Sequence, residues 1–199
     1  PKMDHIEKTD KLCFGDSHSF GMYQAGYMCQ RHDGLTMHGA LKRGLDSYIY
    51  PWIKTLTCYM GNIDVRHHLM RQSNPSAAVK TLIKRYEEEL IGLGISNIEI
   101  VNVLPIENES RPLPKTGYYK GTPFSGSIAH RRDFVRRWIV RMHHNKMQPV
   151  HCPMEWYTMD PEQYAKYYME ARQSVHLSPE YYRRTNWGRK GSLDDFFGM

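Results

Sequence analysis

The chain has 199 residues, 40% of them hydrophobic and 24% charged, which suits a folded domain with a full core and excludes an intrinsically disordered chain. No apolar run approaches the ~18 residues needed to cross a bilayer, and the opening segment Pro1-Lys2-Met3-Asp4-His5-Ile6-Glu7-Lys8 lacks the apolar centre of a signal peptide. The expectation is a cytoplasmic protein with no membrane span, one domain over 1–199 with a possible flexible tail after about residue 185.

Leu12-Cys13-Phe14 is a short apolar run that suits a buried strand. It breaks at Gly15, and the polar cluster Asp16-Ser17-His18-Ser19 follows at once. Side chains just beyond a strand end lie at the carboxyl edge of a sheet, where open α/β folds place their sites, so Ser17 is a candidate nucleophile. The same residues also read as a helix cap, with Asp16 and Ser17 supplying the capping oxygens.

Downstream, Phe20, Tyr23, Tyr27 and Met28 fall at weak helical spacing, Leu35-Thr36-Met37 reads as a short strand ending in His38-Gly39, and residues 40–53 read as a helix. Thr55 to Met60 is a strand without alternation, as expected when both faces are covered, and it stops at Gly61-Asn62-Ile63-Asp64. Val79, Leu82, Ile83, Tyr86 and Leu90 mark the clearest helix, opened by Pro75-Ser76 and closed by Gly92 and Gly94. Asn97–Leu104 alternates like a strand and is closed by Pro105; residues 106–126 form an excursion over the sheet edge. A basic helix over about 127–146, a poorer strand from Pro149 to Trp156 and a helix from Pro161 to Arg172 complete the pattern. Strands and helices alternate throughout. The prediction is α/β: a three-layer α/β/α sandwich around a parallel sheet of about five strands.

Under this topology Ser17, His38-Gly39, the Gly61–Asp64 turn and Pro105 converge at one sheet edge. A serine, a glycine N–H and an asparagine amide brought together there supply a nucleophile and oxyanion donors. Of the eleven histidines, His176 stands out as an apolar-flanked imidazole ahead of a Ser-Pro-Glu helix start. His67-His68 and His143-His144 lack a further ligand at metal spacing, so no metal is expected. Cys13, Cys58 and Cys152 lie in apolar runs and read as buried thiols; no CxxC pair includes Cys29.

Phe14-Gly15-Asp16-Ser17-His18-Ser19 near one end and Val175-His176-Leu177-Ser178-Pro179-Glu180 near the other resemble the SGNH/GDSL hydrolase family, over about residues 12–184. The resemblance implies a flavodoxin-like fold and a serine esterase or deacylase acting on a small-molecule or carbohydrate ester, with no cofactor. Ser17 matches the nucleophile and His176 the base. The Ser17 N–H, Gly39 (with Gly34 and Gly44 as competitors) and Asn62 match the oxyanion hole. The third block departs from the usual Gly-x-Asn-Asp, and Gly61-Asn62-Ile63-Asp64-Val65-Arg66 resembles a variant branch in which Asp64 and Arg66 take structural or substrate-binding roles. Gln173 stands where the family places the triad Asp, three residues before His176. Gln173 can orient an imidazole but cannot stabilise its charge, which leaves Asp160 or Glu180 as substitutes. The other reading is a catalytically weak or inactive member of the fold that binds nucleic acid or an acidic partner through the basic helix at 130–146, where Arg131, Arg132, Arg136, Arg137 and Arg141 cluster.

Overall fold

The structure is a computed structural model that describes residues 9–22, 26–106, 117–144, 149–150, 152–171 and 174–182. Five parallel strands form the sheet: β1 (Lys11–Gly15), β2 (Met28–Arg31), β3 (Thr55–Tyr59), β4 (Asn97–Val101) and β5 (Pro149–Val150), in the order β2-β1-β3-β4-β5. Four are full strands; the fifth is two residues long. The expected α/β architecture, a parallel sheet flanked by helices, is the one that forms. Strand order reverses between β1 and β3, and the carboxyl ends flanking such a switch point leave a crevice. Phe14 pairs across to Cys58 and Gly15 to Tyr59, so β1 delivers Ser17 to the mouth of that crevice.

Helices α1 (Met37–Arg43), α2 (Pro75–Gly92), α3 (Ile128–His144), α4 (Met154–Thr158) and α5 (Pro161–Tyr168) complete the fold. In α2 the predicted stripe of Val79, Leu82, Ile83, Tyr86 and Leu90 is the buried one. Asn74 caps its start by accepting the Ala77 N–H at 3.0 Å, and Pro75 sits where a missing N–H costs nothing. Burial of each such side chain contributes about 1.5–3 kcal/mol, so packing rather than intrinsic propensity holds α2 in place. Phe134, Val135, Trp138, Ile139 and Met142 bury the corresponding face of α3.

Five elements differ from expectation, the first being the helix expected from Pro161 to Arg172, which ends at Tyr168 because Met169 turns extended into a bridge with Leu177. Leu35-Thr36-Met37 is not a strand: Thr36 is an N-cap whose extended backbone (φ −85°, ψ 152°) leads straight into α1 at Met37. The second strand is instead Met28–Arg31, where the weak spacing suggests a helix; it lies at the sheet edge and is only half-buried, so it carries no continuous apolar run. The predicted helix over 40–53 ends at Arg43, because Gly44 adopts φ +91°. The last strand stops at Val150, and Pro153 then starts α4, which takes up Met154 to Thr158. Cys13, Cys58 and Cys152 are buried free thiols, and Cys29 is half-buried.

Candidate active site

The nucleophile turn follows from a close approach of β1 and β3. A Cβ on Gly15 would lie 2.0 Å from the Tyr59 carbonyl oxygen, so no larger residue fits there. Asp16 N donates to that same carbonyl at 3.2 Å, and the chain then winds into a 3₁₀ turn, Ser17–Met22. Asp16 is buried and caps this turn: its Oδ1 accepts the His18 N–H at 2.8 Å, and its carbonyl accepts from Ser19 at 3.0 Å. The cap and nucleophile readings are therefore compatible. Asp16 does the capping, and Ser17, half-buried, leaves its hydroxyl at the open edge.

His176 reaches Ser17 from the far end of the chain. Met169 and Leu177 form an antiparallel bridge, reinforced by Glu170 N to His176 O at 3.1 Å and Ser178 N to Tyr168 O at 2.7 Å. Tyr168 packs tilted against Trp156 (4.5 Å) and edge-on against Tyr181 (5.1 Å), which anchors both ends of the bend. On this support His176 Nε2 lies 3.0 Å from Ser17 Oγ, hydrogen-bond distance across 159 residues of sequence. Its Nδ1 lies 3.5 Å from Glu170 Oε1, and that carboxylate oxygen also accepts the Ser174 hydroxyl at 2.5 Å. Burial holds the His176 imidazole below the usual histidine range, and the charge of His18 pushes the same way, while Glu170 opposes both. A neutral imidazole hydrogen-bonded to a serine is a poised general base.

The acid behind the histidine is Glu170, which neither the family spacing nor the two proposed substitutes identifies. Asp160 is committed to capping α5, where its Oδ1 accepts from Glu162 N (2.9 Å) and Gln163 N (3.1 Å). Gln173 lies outside the described residues. His18 is a second residue the sequence does not single out; its ring links Asp16 to the Val175 carbonyl. Both connect residues whose spacing follows no fixed helical or strand period, so only the tertiary bend reveals them.

The oxyanion and substrate-binding assignments are corrected. Gly39 occupies the first turn of α1 and spends its N–H on Thr36 Oγ1 at 2.9 Å. Asn62 has no exposed surface: its Oδ1 accepts from Leu104 N at 2.9 Å and Arg66 at 3.3 Å, and its Nδ2 faces Asp16 Oδ2 at 3.4 Å. The Ser17 N–H begins the 3₁₀ turn, where the first amides have no partner within the turn. Asp64 is 1% exposed, although it reaches the wall of the groove between α1 and α2. Its carboxylate accepts from Met37 N (2.7 Å) and His38 N (3.2 Å), capping α1 together with Thr36. Burial pushes Asp64 up to about 6 despite these bonds. Arg66 is buried too, donating to the Asn62 and Pro105 carbonyls at 3.3 Å and so tying the ends of β3 and β4 together. The variant third block is a structural knot beneath the site.

A groove of about 620 Å³ lies between the start of α1, the turn Asp64–His68 and the first half of α2; Ser17, His176 and Glu170 are not among its lining residues. Thr36, His38, His68, Asn74, Thr81 and Arg85 are among its lining. Part of the predicted excursion, residues 117–126, is pinned beside it: Arg71 lies 4.2 Å over the Tyr119 ring, and His67 stacks on Phe124 at 5.0 Å. Among the described residues no group of three or more His, Cys, Asp or Glu side chains converges as a metal site. Three arginines of α3 have partners within the chain. Arg131 is buried over Phe124, Arg132 donates to the Trp156 and Tyr157 carbonyls at 3.1 Å, and Arg137 pairs with Asp133 at 2.6 Å. No helix among the described residues is long and apolar enough to cross a membrane.

No protein-family model matches the chain, and neither does any curated protein. Solved structures do. The lipase/acylhydrolase from Enterococcus faecalis superposes with a TM-score of 0.56 over 86% of this chain and 89% of that one, at 12% identity. A GDSL-like lipase from Bacteroides thetaiotaomicron VPI-5482 gives 0.55 over 89% and 84%, at 16% identity. The fold is thus that of the GDSL-like lipase/acylhydrolases.

Proposed function

We propose that the chain is a serine esterase or deacylase of SGNH type, working through Ser17, His176 and Glu170. The 3.0 Å bond between Ser17 Oγ and His176 Nε2 carries this reading, together with the fold shared with two acylhydrolases. Ser17 Oγ attacks the ester carbonyl while His176 Nε2 takes its proton, and Glu170 stabilises the resulting imidazolium. The Ser17 N–H faces the developing oxyanion. The alkoxide leaves with the proton from His176, and a water activated by the same nitrogen then hydrolyses the acyl-enzyme. The substrate is a small-molecule or carbohydrate ester. The chemistry needs no cofactor.

A purely binding role through α3 is weakened because Arg131 and Arg132 are committed within the fold and Arg137 is paired at the surface with Asp133. The deciding experiment is labelling with a fluorophosphonate followed by mass mapping. Ser17 is labelled in the wild type, and the label disappears in Ser17→Ala and His176→Ala. A folded wild type that resists the probe and cleaves no short acyl ester overturns the proposal.

A further inference from the structure

His18 lies immediately after the nucleophile, yet it is almost wholly buried and cannot meet a substrate. Its Nδ1 is 2.9 Å from Asp16 Oδ1, and its Nε2 is 3.0 Å from the carbonyl oxygen of Val175, 157 residues away and next to His176. A carbonyl oxygen only accepts, so Nε2 carries a hydrogen. Asp16 Oδ1 also accepts the His18 backbone N–H, so the ring is held at both nitrogens, against Asp16 on one side and the Val175 carbonyl on the other. We infer that His18 is a positioning residue: a ring latch, seated on Asp16, that holds the His176 bend against the Ser17 turn.

The latch is placed to work because it ties the residue next to His176 to the residue next to Ser17. The bridge at Met169 and Leu177 and the Ser174–Glu170 bond are internal to the bend. Among the described residues, the polar and ring contacts that cross from His176 and Val175 to the nucleophile side include the Ser17–His176 bond itself, the 5.0 Å contact of the His18 and His176 rings, and the His18–Val175 bond. Of these, the His18–Val175 bond is the one that does not involve a reacting group. The charged and titratable groups facing His18 are Asp16 from its own turn, His176 from the bend, and Tyr59 from the end of β3, whose ring lies 6.1 Å away. The Arg31–Asp33 pair at the end of β2 acts on the same neighbourhood electrostatically.

Two substitutions separate the two bonds. Asn at 18 mimics Nδ1 and keeps a donor for Asp16 without the reach to Val175; Gln mimics Nε2 and keeps the donor to Val175. Hydrogen exchange of the Glu170 and Ser178 amides reports how often the bend opens, with no need for turnover. In His18→Asn these amides exchange about fivefold faster or more, and in His18→Gln they stay near wild type. The kinetic arm rests on the proposed hydrolase reading: phosphonate labelling and kcat fall about 10–100-fold in His18→Asn, with KM little changed, and far less in His18→Gln. Exchange in His18→Asn equal to wild type, or equal acceleration in both variants, overturns the latch. An unlabelled wild type sinks the hydrolase reading alone, since the exchange result still decides the latch. If His18→Asn fails to fold, nitrogen NMR of the wild-type ring decides instead: a hydrogen on Nε2 of His18 is expected, and a bare Nε2 overturns the inference.

Discussion

Glu170 Oε1 lies 3.5 Å from His176 Nδ1 across an antiparallel bend, six residues away rather than the three at which the family sets its acid. The bend makes this possible, because Glu170 and His176 are joined through the backbone at 3.1 Å and so face one another. The Ser174 hydroxyl at 2.5 Å fixes the carboxylate from the other side. A Gln at 173 is then compatible with a triad, since the acid enters from the opposite arm of the bend.

Removing that acid carries a modest penalty. The Glu170 side chain is 40% exposed and its contact with the ring is long, so its field is screened by water. We expect Glu170→Gln to lower kcat by about 10–100-fold, against the ~10⁴-fold seen when a buried triad acid is neutralised. Glu170 also raises the basicity of His176, so the acid limb of the pH profile moves to lower pH in the variant. Steady-state kinetics on a short acyl ester across pH 4–8 reads both effects, and a limb that moves upward contradicts this role.

With His176 as the base of the proposed hydrolase, its ionisation sets the pH range of the wild type. Its folded value lies below the ordinary 6.5, so the base is already neutral at pH 7. Activity is then flat around neutrality and falls as pH drops through a midpoint below 6.5. A pH profile of kcat/KM with its midpoint above 7 would show that the burial and His18 terms do not act on the ring as described.

Much of this arrangement is legible in the sequence. The apolar run Leu12–Phe14 ending at a glycine marks β1 and its polar exit, and the heptad-like spacing of Val79 to Leu90 marks α2, because burial on one face leaves a periodic trace. Edge strand β2 leaves no such trace, since it is only partly buried. Gly39 and Asp64 look like site residues because they follow strand-like segments. The structure spends both on the first turn of α1: Gly39 through the Thr36 cap three residues before it, and Asp64 through Met37 and His38, 27 and 26 residues away. The position of Glu170 is set by the bend, and no local pattern encodes it.

Gly15 is required by backbone proximity rather than by conformational freedom. Gly15→Ala places a methyl group 2.0 Å from the Tyr59 carbonyl oxygen, and neither strand can yield without breaking the β1–β3 pairing. The expected cost is about 3 kcal/mol or more, at the upper end for overpacking. Gly39→Ala serves as the contrast, since the atom it meets is the Thr36 hydroxyl at 3.0 Å and the site is helical, where Ala is favoured by about 1 kcal/mol. Urea unfolding of the two variants should separate them clearly, and equal stabilities would refute the close approach.

Asp64 gives the stability curve an unusual sign. In the unfolded chain its carboxyl titrates near the ordinary ~3.9, whereas burial raises it to about 6 in the folded protein. Between these values the native state holds more protons than the unfolded one, so stability falls as pH rises. The contribution is fully present below about pH 4 and is lost as pH climbs through 6, a change of about 3 kcal/mol at 1.36 kcal/mol per unit. The carboxylate is kept nonetheless because it serves two amides of α1, Met37 N and His38 N, that would otherwise be orphaned in the interior. Asp64→Asn keeps one acceptor, turns an amide donor toward the other N–H, and no longer titrates. Urea midpoints of both proteins at pH 4.5, 5.5 and 7 isolate the effect, since every other group cancels in the difference. The wild type's advantage over Asp64→Asn should shrink by about 2 kcal/mol from pH 4.5 to 7; an advantage that grows with pH would mean that Asp64 is ionised more readily in the fold than out of it.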